Sequence, residues 1–139
     1  MYKGLLHLHH YLPYVLIAFV CMGFLFSIQG MVSRRNHSKI DKKTSLILMI
    51  LSHLQLLVGL CLYFISPMVL PFKDAMADAT TRFNAVEHPF MMLIVICILT
   101  ILHIKTKKSN EFKVHTKKLI FYSLVIAILF FGIPWEKLM

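Results

Sequence analysis

Charge is scarce in this chain. Only 15% of its 139 residues are charged, against roughly 25% in soluble globular domains. So few charges cannot cover a soluble fold with polar surface. Acid is scarcer still: six Asp and Glu stand against fifteen Lys and Arg. None of the six lies inside an apolar run, which counts against a metal or proton carrier built on intramembrane carboxylates. Cysteine is limited to Cys21, Cys61 and Cys97. Their spacing matches no zinc or redox motif, so they read as small apolar core residues. There is no Ser/His/Asp set, no paired carboxylate and no Gly-rich phosphate loop, so no familiar catalytic constellation is in view. Internal repeats and low-complexity stretches are also lacking.

What remains is apolar. Hydrophobic residues make up 58% of the chain and the mean hydropathy is +0.74. The organising stretch is Thr44–Pro67, TSLILMILSHLQLLVGLCLYFISP, which carries no charge. About twenty such residues cross a bilayer as one helix. Three more runs give four expected spans, at about 11–32, 44–66, 88–104 and 119–135. Pro13 falls in the first turn of the first span, where a missing N–H costs little. Ser66-Pro67 terminates the second. The first apolar run is too long for a signal-peptide core and has no small-residue cleavage site, so it is kept as a span. The expected fold is all-α: one integral membrane domain, 1–139, forming an up-down-up-down four-helix transmembrane bundle. Gly23, Gly59 and Gly132 are candidates for close helix approach.

The net charge of +9 would suggest nucleic acid on a soluble fold. Here it is confined to two short loops. Loop 33–43 holds five Lys and Arg and loop 105–118 holds six, eleven of the fifteen. The positive-inside rule puts both loops in the cytoplasm and both termini outside. Tyr2, Tyr11, Tyr14 and Trp135 then fall at the outer interface, as aromatic residues do. Loop 68–87 is only mildly polar, and its Ala-rich middle reads as a short interfacial helix. The lipid bilayer is the expected partner, and nucleic acid is not.

Eight histidines are the chemical signal. His37 and His115 fall in the basic loops and read as solvated. His53 lies roughly 13 Å into its span at 1.5 Å per residue, a depth where a polar group normally faces other helices. Two ligands of one haem must stand at similar depth on opposite faces of the iron. By that test His10 (or His7) with His88 is the best pair. His53 with His103 differs by about 10 Å in depth. His88 and His103 lie about 22 Å apart along one helix, and His103 lacks an evident partner. Gln55, Gly59 and Tyr63 share a face, which reads as a packing seam or, less strongly, a quinone-head site. Arg82 and Glu87 flank His88. They read as an ordinary ion pair, or as groups that orient His88 or meet haem propionates.

GLLHLHHYLPY, SHLQLLVGLCLYFISP, RFNAVEHPFMMLIVICILTI and the final IPW together resemble a family of short bacterial four-helix membrane proteins, loosely cytochrome b-like. The resemblance covers nearly the whole chain. It implies an inner-membrane protein with a haem or respiratory connection, and it matches at His10, His53, Gln55, Glu87 and His88. Two function readings follow. One is a b-type haem protein passing electrons in or near a respiratory chain, with His10 and His88 as axial ligands of haem b and His53 as a buried polar or second-site residue. The other is a non-catalytic accessory subunit whose partners are other membrane subunits or copies of itself. A weaker third reading is a small-molecule or proton carrier using His53.

Overall fold

A computed structural model describes residues 2–65 and 77–132. The expected stop at Ser66-Pro67, residues 68–76 of loop 68–87, and Pro134-Trp135 with the tail lie outside the described residues. Among the described residues the structure is all-α. The elements are α1 (Tyr2–Ser33), α2 (Lys39–Ile65), the short α3 (Ala79–Arg82), a π-helical turn (Phe83–Glu87), α4 (His88–Thr106) and α5 (Val114–Gly132). Helices α1, α2, α4 and α5 are each long and apolar enough to cross a membrane. The 19 residues of α4 or α5 rise about 28 Å, close to the roughly 30 Å of a hydrocarbon core.

The four long helices pack as a square. The neighbours are α1 with α2, α2 with α4, α4 with α5, and α5 with α1. Helices α1 and α4 are therefore one diagonal, and α2 and α5 the other. Val20, Leu48, Val95, Leu99, Leu102, Tyr122 and Val125 form the apolar core, drawn from all four.

The exposure pattern is inverted relative to a soluble bundle. Phe64 is 81% exposed, Val32 75% and Phe131 71%, while Asp41, His115 and Lys118 are buried. Such a surface is suited to lipid contact, because lipid does not penalise exposed apolar groups. Buried hydroxyls close onto their own helices: Ser27 Oγ donates to the Gly23 carbonyl and Thr106 Oγ1 to that of Leu102. This local bonding satisfies a polar group where water is absent.

Three expectations about the spans change. Cys21, Cys61 and Cys97 are all exposed rather than core. Each sits one residue off the buried stripe of its helix, beside Val20, Leu62 and Ile96. Helix α1 begins at Tyr2, so Pro13 lies inside it rather than in its first turn. Lys105, Lys117 and Lys118 belong to helices rather than to a loop.

The close approaches at the glycines hold. A Cβ at Gly23 would stand 2.8 Å from the Tyr122 ring, one at Gly59 3.3 Å from His9, and one at Gly132 2.7 Å from Met92. Gly30 adds a fourth, pressed against the His115 ring. Small residues at such points let backbones come together where no water drives association.

Both ends of the first connection are chemically specified. Arg34 adopts a left-handed conformation, φ 52°, and the Arg35 N–H returns to the Gly30 carbonyl at 3.1 Å. This is a Schellman stop, with Arg where Gly is more usual. Ser38 then opens α2 as a capping box: its Oγ accepts from the Asp41 N–H at 3.4 Å, and its own N–H donates to Asp41 Oδ2 at 2.8 Å.

Candidate functional site

Two polar clusters stand at opposite poles of the bundle. The first gathers the start of α1, the far part of α2, the start of α4 and the end of α5. Its origin is a proline. Pro13 has no N–H, so the His9 carbonyl four residues earlier has no donor within α1. Gln55 Nε2 of α2 takes that place, donating to the His9 carbonyl at 3.1 Å. The His9 ring packs over Gly59, one turn further along α2.

His9 then meets His88 across the α1–α4 diagonal. Their ring centroids are 6.3 Å apart and the planes are perpendicular, at 89°. His88 follows a π turn in which its N–H reaches the Phe83 carbonyl, and single π turns recur at functional sites. His88 Nδ1 stands 2.6 Å from the Gly132 carbonyl of α5. A carbonyl only accepts, so Nδ1 carries the proton and Nε2 of the neutral ring carries the lone pair. Fixing one ring nitrogen through a carbonyl is how metal-binding histidines are commonly oriented.

The other sequence candidates are placed as follows. His10 is half-buried against the edges of Tyr11 and Tyr14, at 5.2 and 6.3 Å. His7 is exposed and stacks on Tyr11. His9, given no functional role from sequence, is the residue brought against His88. His53 faces outward, with Nδ1 bonded to the Met49 carbonyl of its own turn at 2.7 Å. It does not face other helices, because the buried stripe of α2 passes through Ser52 instead. His103 does have a partner: its Nδ1 is 2.9 Å from Ser45 Oγ. Arg82 and Glu87 pair with each other at 3.0 Å, with both side chains about 40% exposed. Such a pair contributes little to stability. Gln55 and Gly59 of α2 both meet His9.

The two imidazoles at this pole match the number of protein ligands a haem would need and fall short of what a bare ion takes. Among the described residues no group of three or more His, Cys, Asp or Glu is placed to hold a metal ion. A haem needs only two protein ligands, since the porphyrin supplies four nitrogens. With metal–imidazole bonds of about 2 Å, two rings across one iron stand roughly 6 Å apart. His9 Nδ1 and Gln55 Oε1 are buried and meet no partner among the described residues, a debt that a buried polar site normally discharges. A haem held there would supply one-electron chemistry. The chain's own part would be to supply the His9 and His88 imidazoles from α1 and α4 and to hold the His88 ring through the Gly132 carbonyl.

The second pole was not read as a site from sequence. It joins the connection between α1 and α2 to the connection between α4 and α5. Asp41 accepts from Arg35 Nη1 at 2.6 Å, Arg35 Nη2 at 3.0 Å, and the Ser38 N–H and Oγ. Arg35 also donates to Gln29 Oε1 and the Phe26 carbonyl. Lys118 is 2% exposed and donates to the Asp41 carbonyl at 3.1 Å. His37 and His115 are 3% and 0% exposed. They are not solvated, because the two connections close over them. His37 Nδ1 meets the Ser109 carbonyl at 2.8 Å, and its N–H meets that of Asn110.

Burial pushes the His37 imidazole down to about 4 from its ordinary 6.5. The Ser109 bond raises it, Lys118 lowers it, Asp41 raises it and His115 lowers it. The folded state therefore holds His37 neutral, and the unfolded chain binds the extra proton between pH 6.5 and 4. Stability from this group is full above about pH 6.5 and declines as pH falls toward 4. The His37→Gln variant keeps a donor for Ser109 but cannot titrate. Its melting temperature in mild detergent should fall less than that of the wild type between pH 7.5 and 5, and equal falls would remove His37 from the account.

Comparison with protein-family models, with curated proteins and with solved structures returns no match.

Proposed function

We propose that this chain is a b-type haem protein of the bacterial inner membrane that passes electrons in or near a respiratory chain. The observation that carries the reading is the His9–His88 pair: two imidazoles from diagonal helices, 6.3 Å apart, one with its tautomer set by the Gly132 carbonyl. The family resemblance of the four sequence stretches supports it. In this reading His9 takes the role that depth alone had given to His10.

The positive-inside rule supplies the orientation. The basic connections around 34–38 and 107–113 face the cytoplasm, and the His9–His88 pole lies near the outer face, with both termini outside. The spans then run up-down-up-down. Electrons would enter or leave on the outer side, since among the described residues no second histidine pair stands along the α1–α4 diagonal.

The deciding experiment is a reduced-minus-oxidised absorption spectrum of protein purified in mild detergent after expression with ample haem. A sharp α band of b type at near one haem per chain is expected. A flat spectrum from folded protein would overturn the reading in favour of an accessory subunit, to be identified by what copurifies.

A further inference from the structure

The second pole contains a pair of imidazoles with no role in the proposed haem site. His37 stands in the connection after α1, and His115 in the first turn of α5. Their ring centroids are 6.0 Å apart at an interplanar angle of 74°. His37 Nδ1 faces the Ser109 carbonyl and His115 Nε2 faces the Arg35 carbonyl, at 2.8 and 3.1 Å. Both carbonyls can only accept, so both of those nitrogens carry protons. In the neutral rings this leaves lone pairs on His37 Nε2 and His115 Nδ1. These two atoms are buried and meet no donor among the described residues. An unmet buried acceptor costs about 1–3 kcal/mol, and two in one ring pair point to a missing electron-pair acceptor.

We propose that His37 and His115 form a two-imidazole site for a monovalent soft cation, Cu(I). Ligand number selects the ion. Among the described residues no third His, Cys, Asp or Glu joins the pair, and the Asp41 carboxylate is already taken by Arg35 and Ser38. Zn²⁺ requires four ligands and Mg²⁺ or Ca²⁺ six or more. A filled d shell in a single-charged ion is satisfied by two imidazoles in line, and imidazole suits copper. The spacing agrees, because two metal–nitrogen bonds of about 2 Å set ring centroids roughly 6 Å apart. Charge sorts the ions in the same direction. Arg35 and Lys118 against Asp41 leave one excess positive charge, which opposes any cation, and a divalent ion about twice as strongly as a monovalent one. Gly30 completes the seat, since a Cβ there would collide with the His115 ring.

The test is an anaerobic Cu(I) titration of the full chain in detergent, in competition with bicinchoninate. The wild type should retain one equivalent. His37→Gln and His115→Ala should each weaken binding by roughly a hundred-fold or more, beyond what changes behind a ligand usually cost. His9→Ala should leave the equivalent in place, which separates this site from the haem pole. Helicity by circular dichroism checks that His37→Gln, the milder change, remains folded. No retained equivalent in the wild type, or full retention in folded His37→Gln, would overturn the proposal, as would loss through His9→Ala.

Discussion

Asp41→Ala should destabilise the folded protein by about 3 kcal/mol, the low end of the range for losing one partner of a buried charge pair, because the Arg35 side chain keeps 27% exposure. Asp41 is 4% exposed and accepts four bonds, two from Arg35 and two from Ser38. Its loss acts at three levels. The capping box at the start of α2 disappears, an effect of about 1 kcal/mol by itself. The Arg35 guanidinium loses its counter-charge while still committed to Gln29 and Phe26. Buried Lys118 keeps its carbonyl contact but loses the nearest negative charge. Denaturant titration in mixed micelles measures the change. The double variant with Arg35→Ala should recover part of it, because an uncompensated cation is then no longer held at the pole. Additive losses would show that the pair is not coupled.

Much of this architecture is legible from the residues alone, for a clear physical reason. A run of twenty uncharged apolar residues has few stable states other than a spanning helix. The apolar runs therefore locate α1, α2, α4 and α5 without reference to any contact. Azimuth is harder, because each span is apolar all round and its faces are not marked by charge. The pattern of small and polar residues marks them instead. Val20, Gly23, Ser27 and Gly30 recur every three or four residues on α1 and are all buried. Carried back toward the start of the helix, that rhythm passes through Leu16 and reaches His9, not His10. On α2, Ser45, Leu48, Ser52, Gln55 and Gly59 follow the same rhythm and leave His53 outside. Depth alone does not separate His9 from His10, whereas rotation about the helix puts His9 on the buried face of α1.

The second pole was not legible in the same way. His37 sits in SRRNHSKIDKK, and every local cue in that stretch favours solvent. Its burial comes from Ser109 and Asn110, more than seventy residues away. His115 is buried by the return of α5 against the end of α1, at Gly30 and Arg35. One local signal did exist. His115, Lys118, Tyr122 and Val125 keep the helical rhythm of a buried face, so the third basic segment was already half helix. A charge inside that rhythm reads as loop until its partner, here the α2 start at Asp41, is known.

The two neighbouring histidines of α1 give the sharpest contrast for haem. His9→Ala and His88→Ala should each abolish the b-type α band, while His10→Ala should leave it at near wild-type height. Residues 9 and 10 differ by 1.5 Å in depth but by about 100° around the helix, so the comparison separates rotation from depth. His9 lies over Gly59 and against His88; His10 lies among tyrosines. Each variant removes one imidazole without touching the Asp41 pole, and circular dichroism in detergent should show unchanged helicity. Gly59→Leu extends the logic without removing a ligand. A Cβ at Gly59 already stands 3.3 Å from the His9 ring, so a larger side chain displaces His9 from His88 and should lose the band as well. Retention of the band in His9→Ala with loss in His10→Ala would return the axial role to His10. Loss in all three histidine variants would mean that the whole start of α1, rather than one ligand on its inner face, holds the cofactor.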